Sequence, residues 1–82
     1  MRNPIPVDGV IRVFREKRRA SSVTVLHGLL PNEIEATGKE LRRLCGTGGT
    51  TKDGVVVLQG DHRDAVIAYF TNAGRKVKKA GG

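Results

Sequence analysis

One cysteine, no tryptophan, two phenylalanines and a single tyrosine leave this 82-residue chain short of the residues from which many sites are built. A lone cysteine cannot close an internal disulfide. With only two histidines beside it, no metal-ligand spacing can be read, so neither a metal nor another cofactor is expected. No apolar run approaches the ~20 residues that span a bilayer. Residues 1–6, Met-Arg-Asn-Pro-Ile-Pro, contain no signal-peptide core, and a cytoplasmic protein without a membrane partner is expected. The length allows one domain, and a chain this short buries roughly 60% of its unfolded surface, so the core is thin. Acidic residues are also scarce: eight against fifteen Lys and Arg, for a net charge of +7.

That charge is clustered. Residues 1–20 carry an excess of +4, residues 21–60 are neutral, and residues 61–82 carry +3. Clustered cation on a small domain points to a polyanionic partner, of which nucleic acid is the commonest.

Hydrophobic patterning places the cations on elements. Residues 1–8 hold two prolines and no periodicity, and read as a flexible lead-in. Gly9–Arg15 is β-branched and aromatic, a first strand; Glu16–Ala20 is a charged connector; Ser22–His27 is a second strand. Together they predict a hairpin whose loop presents Lys17, Arg18 and Arg19. Asn32 is placed to cap a helix, with Glu35 three residues on. Ile34, Leu41, Leu44 and Cys45 form its apolar face, and small Gly38 would let it approach the sheet. Lys39, Arg42 and Arg43 project from the other side, towards the C-terminal end that favours cations. Gly46 suits the residue just past that end. Gly48–Lys52 reads as a short strand, and Asp53-Gly54 as a two-residue hairpin turn. Val55–Leu58 is continuously apolar, which predicts a central strand buried on both faces. Asp61 is expected to cap a second helix with Val66, Tyr69, Phe70 and Ala73 on its core side, ended by Gly74. Arg75–Lys79 can form a fifth, edge strand. The order is ββαββαβ: an α+β, two-layer sandwich with two helices packed on one face of a five-stranded sheet, over residues 9–80.

His62 between Asp61 and Asp64 invites an acid–base reading. Both carboxylates are better explained as residues of a helix start, so no enzyme is expected. Gly46–Lys52 lacks the Gly-Lys-Ser/Thr ending of a phosphate loop and runs from helix to strand, the reverse order. Cys45 reads as a small apolar residue. Phe14, Tyr69 and Phe70 are all assigned to the core, which leaves no platform for stacking bases. Recognition of structured RNA through its phosphates is expected instead. The candidate contact residues are Arg15, Lys17, Arg18, Arg19, Lys39, Arg42, Arg43, Lys52 and Arg63.

Two stretches carry a resemblance: Leu41-Arg42-Arg43 running to Gly48-Gly49-Thr50, and Leu58-Gln59-Gly60-Asp61-His62-Arg63. With the Lys52-Asp53-Gly54 turn and Lys76-Val77-Lys78, they resemble the translation initiation factor one family, in its stand-alone bacterial and archaeal form. The resemblance implies a monomer that binds the small ribosomal subunit through 16S-type rRNA, at the platform beside the P site, near initiator tRNA and mRNA. It implies a role in start-codon and initiator-tRNA fidelity. The loop with Lys17, Arg18 and Arg19 would approach the decoding region, and Arg42 and Arg43 would contact rRNA. A third cation often follows those two in the family; here that residue is Leu44. The Asp53-Gly54 turn is much shorter than in eukaryotic members. The other reading that the same domain allows is a structural ribosomal or structured-RNA-binding protein.

Overall fold

A computed structural model describes residues 9–80, and the lead-in expected over residues 1–8 lies outside them. The elements follow the expected order: β1 (Ile11–Arg18), β2 (Ser21–His27), α1 (Ile34–Cys45), β3 (Gly49–Lys52), β4 (Val55–Gln59), α2 (Arg63–Asn72) and β5 (Val77–Lys79). The five strands form one mixed sheet in the order β3-β4-β2-β1-β5, with β5 parallel to β1 and the other pairs antiparallel. Both helices cover the same face. Ile11, Val13, Leu26, Val56 and Leu58 from the sheet meet Leu29, Leu41, Val66 and Phe70 in one cluster. Burying side chains of this size contributes about 1.5–3 kcal/mol each.

The sheet centre differs from expectation. β2, not β4, is the middle strand. Val56 and Leu58 of β4 are fully buried under the helices, while Val55 and Val57 are half-buried on the open face. β2 is covered on both sides: Thr24 and Leu26 face the helices, Val23 and Val25 face away, and none exceeds 4% exposure. The apolar run of β4 reflects a half-covered outer face rather than a central position.

The first hairpin is longer than expected. The connector Glu16–Ala20 shrinks to a two-residue turn, Arg19-Ala20, because Glu16, Lys17 and Arg18 pair with Val23, Ser22 and Ser21. β1 therefore runs past the core as an exposed, charged arm. The second hairpin turns at Asp53 (φ 52°) and Gly54 (φ 81°), with both residues left-handed as the Asp-Gly pair requires.

Three side chains assigned to the core lie elsewhere. Leu44 is 51% exposed, since the buried stripe of α1 runs through Gly38 and Leu41. Ala73 is the exposed cap residue that follows α2. Phe14 sits half-buried on the open face, edge-on to His27 at 5.2 Å. The reason for excluding base stacking therefore does not apply to Phe14.

Neither expected cap residue, Asn32 or Asp61, occupies the cap position. Glu33 precedes α1, and its carboxylate accepts the Leu30 N–H at 2.7 Å instead of a helix amide. The same carboxylate is drawn to Arg75, at 2.9 and 3.0 Å, so Asn32 is left outside the helix start. Glu35 bonds the Thr51 hydroxyl rather than closing a capping box. At α2 the cap residue is His62, which makes no side-chain cap; the Asp61 carboxylate, one residue earlier, is gripped by the Arg63 guanidinium at 2.9 and 3.1 Å and accepts the Arg63 N–H at only 3.4 Å. Gly38 does serve close packing: a Cβ there would stand 2.9 Å from the Thr51 side chain.

Candidate nucleic-acid interface

The ladder registers fix which candidate cations share an end of the molecule. Glu16, Val23, Gln59 and Gly48 lie at neighbouring positions across the sheet, so the end of β1, the start of β2, the end of β4 and the approach to β3 coincide. The two helices meet there as well. The Thr47 hydroxyl, just past α1, donates to the Gln59 carbonyl at 2.9 Å, and the His62 ring, just before α2, contacts the same oxygen at 2.6 Å. A carbonyl only accepts, so His62 carries its proton on Nε2 in this contact. One end of the fold thus gathers the exposed arm with Arg15, Lys17, Arg18 and Arg19, the last turn of α1 with Arg42 and Arg43, and Arg63 at the start of α2.

The local sequence explains each placement. The arm is a strand because β2 continues to pair with it beyond the core. Arg19 turns the arm with a φ of 48°, a conformation that costs an L-residue roughly 1–2 kcal/mol and that glycine would adopt freely. The chain keeps a cation there at the expense of backbone ease. α1 stops at Gly46, whose φ of 61° lets its own N–H and that of Thr47 satisfy the Arg43 and Arg42 carbonyls. Two arginines in that last turn complement the negative end of the helix dipole.

Several of these cations carry carboxylate partners. Arg43 pairs with Glu40 at 2.6 Å, Arg18 with Glu16 at 3.1 Å, and Arg63 with Asp61 at 2.9 Å. The Arg63 hydrogen bonds hold the Asp61 carboxyl below its ordinary range, with a smaller contribution from Arg15. The Arg18 and Arg43 pairs are exposed, and pairs of that kind contribute little to stability, whereas the Arg63 side chain is only 19% exposed and is more firmly held. The other candidates are placed apart. Lys39 projects into solvent from the middle of α1, and Lys52 lies at the opposite end of the sheet, before the Asp53-Gly54 turn. A shallow groove of about 400 Å³ along the open face connects Glu16 and Arg18 to Lys52 and Asp53.

The acid–base arrangement considered from sequence is not made. Asp61 is on Arg63, Asp64 pairs with Lys79 at 3.1 Å, and the His62 ring is on Gln59. Cys45 packs against the core, and burial raises its thiol pKa, which disfavours the reactive thiolate. Among the described residues, no helix is long and apolar enough to cross a membrane.

Sequence reasoning missed Arg75 as a structural residue. Counted among the C-terminal cations, it instead forks onto Glu33 and lies over the Phe70 ring at 6.0 Å. The signal available was weak: one acidic residue directly ahead of α1, and Arg75 as the first of four cations after α2.

The pattern matches the family model described as Translation initiation factor SUI1 over residues 8–77. The chain belongs to this family. The chain is 40% identical over 79 residues to an uncharacterized protein, YciH, of Escherichia coli, covering 92% of this chain and 73% of that protein. It is 38% identical over 71 residues to a protein translation factor SUI1 homolog of Thermoplasma volcanium, covering 82% of this chain and 71% of the other. A homolog of the same name from Nitrosopumilus maritimus is 43% identical over 67 residues, with 79% and 66% covered. Bacterial and archaeal relatives thus share this SUI1 domain, as the sequence resemblance implied.

Proposed function

We propose that this SUI1-family chain is a translation initiation factor that binds the small ribosomal subunit beside the P site. In this reading it contacts 16S-type rRNA through its basic end and favours the correct start codon and initiator tRNA. The observation that carries the reading is the convergence of cations from three separate segments, the β1–β2 arm, the end of α1 and the start of α2, on one end of a rigid domain. Family membership supplies translation as the context. The arm extends beyond the core and is suited to reach into the decoding region. The α1 end is fixed to the sheet and is suited to hold the factor on rRNA. The factor acts as a monomer in the cytoplasm, and its cations displace counterions instead of reading base edges.

Binding to isolated 30S subunits, measured against salt, tests this. If four to six phosphates are neutralised, log K falls against log salt with a slope of about −3 to −5. A flat response would remove nucleic acid as the main partner. Retention on one subunit through high-salt washing of 70S particles would point to a structural ribosomal protein instead of a factor that cycles.

A further inference from the structure

Thr24 is the polar side chain that is fully buried among the described residues, at 0% exposure. It stands in β2 between valines, where Val would fit by shape and cost no desolvation, so the hydroxyl itself requires a reason. That hydroxyl donates to the Gly60 carbonyl at 2.7 Å and accepts the His62 N–H at 2.8 Å. Both capacities are used, and both bonds reach one short segment, Gln59–Arg63.

The same segment is held from two other directions. The Gly60 N–H donates to the Ser22 carbonyl at 2.8 Å, which ties it to the root of the arm. Thr47 donates to the Gln59 carbonyl at 2.9 Å, which ties it to the end of α1. Three chain segments that are distant in sequence, each bearing cations, therefore meet at one set of backbone groups. A loose joint here would let the arm, Arg42 and Arg63 move independently. A locked joint presents them as one surface, so less ordering remains to be done on binding.

We propose that Thr24 is a positioning residue of the RNA-binding face. Its hydroxyl sets the arm against the start of α2 and acts on RNA through Arg15 and Arg63 without touching RNA. The inference takes its ligand from the ribosomal reading above, while its geometry stands apart from that reading.

The test compares Thr24→Val, which keeps the shape and removes the hydroxyl, with Thr24→Ser, which restores it. Melting is recorded for each, and salt-dependent binding is measured well below the melting temperature. Two probes are used: Escherichia coli 30S subunits and poly(A)·poly(U) duplex RNA. Folded Thr24→Val should bind both more weakly, with a salt slope less steep by about 1, as for one lost phosphate contact. Thr24→Ser should regain the wild-type slope even where it melts lower. A threonine that serves folding alone would leave the slope of the folded valine variant unchanged, and that result overturns the proposal. If Thr24→Val does not fold, Thr47→Val loosens the same joint from the half-exposed side; the slope change is expected there, and its absence is equally contrary. Duplex RNA binding that senses Thr24, without any binding to 30S subunits, would refute the ribosomal reading alone. No salt-dependent binding to either RNA would overturn both.

Discussion

The two ends of this sheet use arginine differently. At the end that gathers β1, the close of α1 and the start of α2, Arg18 and Arg43 are exposed and Arg63 is half-buried, and the carboxylate partner of each is two or three residues away in sequence. At the other end Arg75 reaches across 42 positions to Glu33, grips both carboxylate oxygens, and joins the close of α2 to the start of α1. Local pairs form and break at little cost in stability. The long-range fork closes the fold. Net charge counts both kinds equally, whereas the geometry separates cations available to a ligand from one committed to structure.

Neutralising each group should expose that contrast. Arg42→Ala with Arg43→Ala should weaken 30S binding most and flatten the salt slope by about 2, with melting nearly unchanged. Replacing Lys17, Arg18 and Arg19 by alanine should spare more of the affinity and relax discrimination against wrong start codons. Equal losses of affinity and fidelity in both variants would erase the division between anchor and arm. Arg75→Ala should do the opposite: binding by the folded protein stays, while chemical denaturation shows a loss of about 1 kcal/mol. That figure is discounted because Arg75 is 36% exposed in its side chain and screened accordingly.

Arg19→Gly separates stability from binding at a single position. Relief of the left-handed backbone at Arg19 competes with the extra freedom glycine has when unfolded, leaving stability level or up to about 1 kcal/mol higher. The lost cation should still flatten the salt slope by about 1. A destabilised glycine variant would mean that the turn is not strained in solution.

The smallest effect is on acid sensitivity. Hydrogen bonds from Arg75 hold the Glu33 carboxyl below its ordinary value of 4.5. The folded state then binds fewer protons than the unfolded state near that pH. The stabilisation is fully present above about 4.5 and is lost as pH falls below it, through the folded value. Denaturation midpoints measured from pH 7 to pH 3 should fall less steeply for Glu33→Gln than for the native chain.

Elements with strong local rules were legible in the sequence. The Asp53-Gly54 turn, the Gly46 helix stop, the order of strands and helices, and the basic arm and helix end all follow from backbone preferences and short-range periodicity. The misreadings came from competition over longer distances. Asn32 and Asp61 carry side chains suited to capping, yet the cap position of each helix falls one residue later, at Glu33 and His62, while Arg75 holds Glu33 and Arg63 holds Asp61. Leu44 fits a helical stripe, but α1 meets the sheet through Gly38 and Leu41. The four apolar residues Val55–Leu58 could not reveal which strand would be the middle one, because that depends on how β2 pairs on both sides. For the site, the sequence showed which residues were cationic but not that Lys52 would lie at the far end while Arg63 joined the arm.

Site-directed crosslinking to rRNA tests the central claim most directly. A thiol-reactive photocrosslinker is attached at Ala20→Cys, on the arm, or at Lys52→Cys, at the far end, each in a Cys45→Ala background. On vacant 30S subunits the Ala20 derivative should crosslink to 16S rRNA and lose that product as salt rises, while the Lys52 derivative should give none. A crosslink from position 52 with none from position 20 would put the ribosome at the wrong end of the molecule and contradict the account.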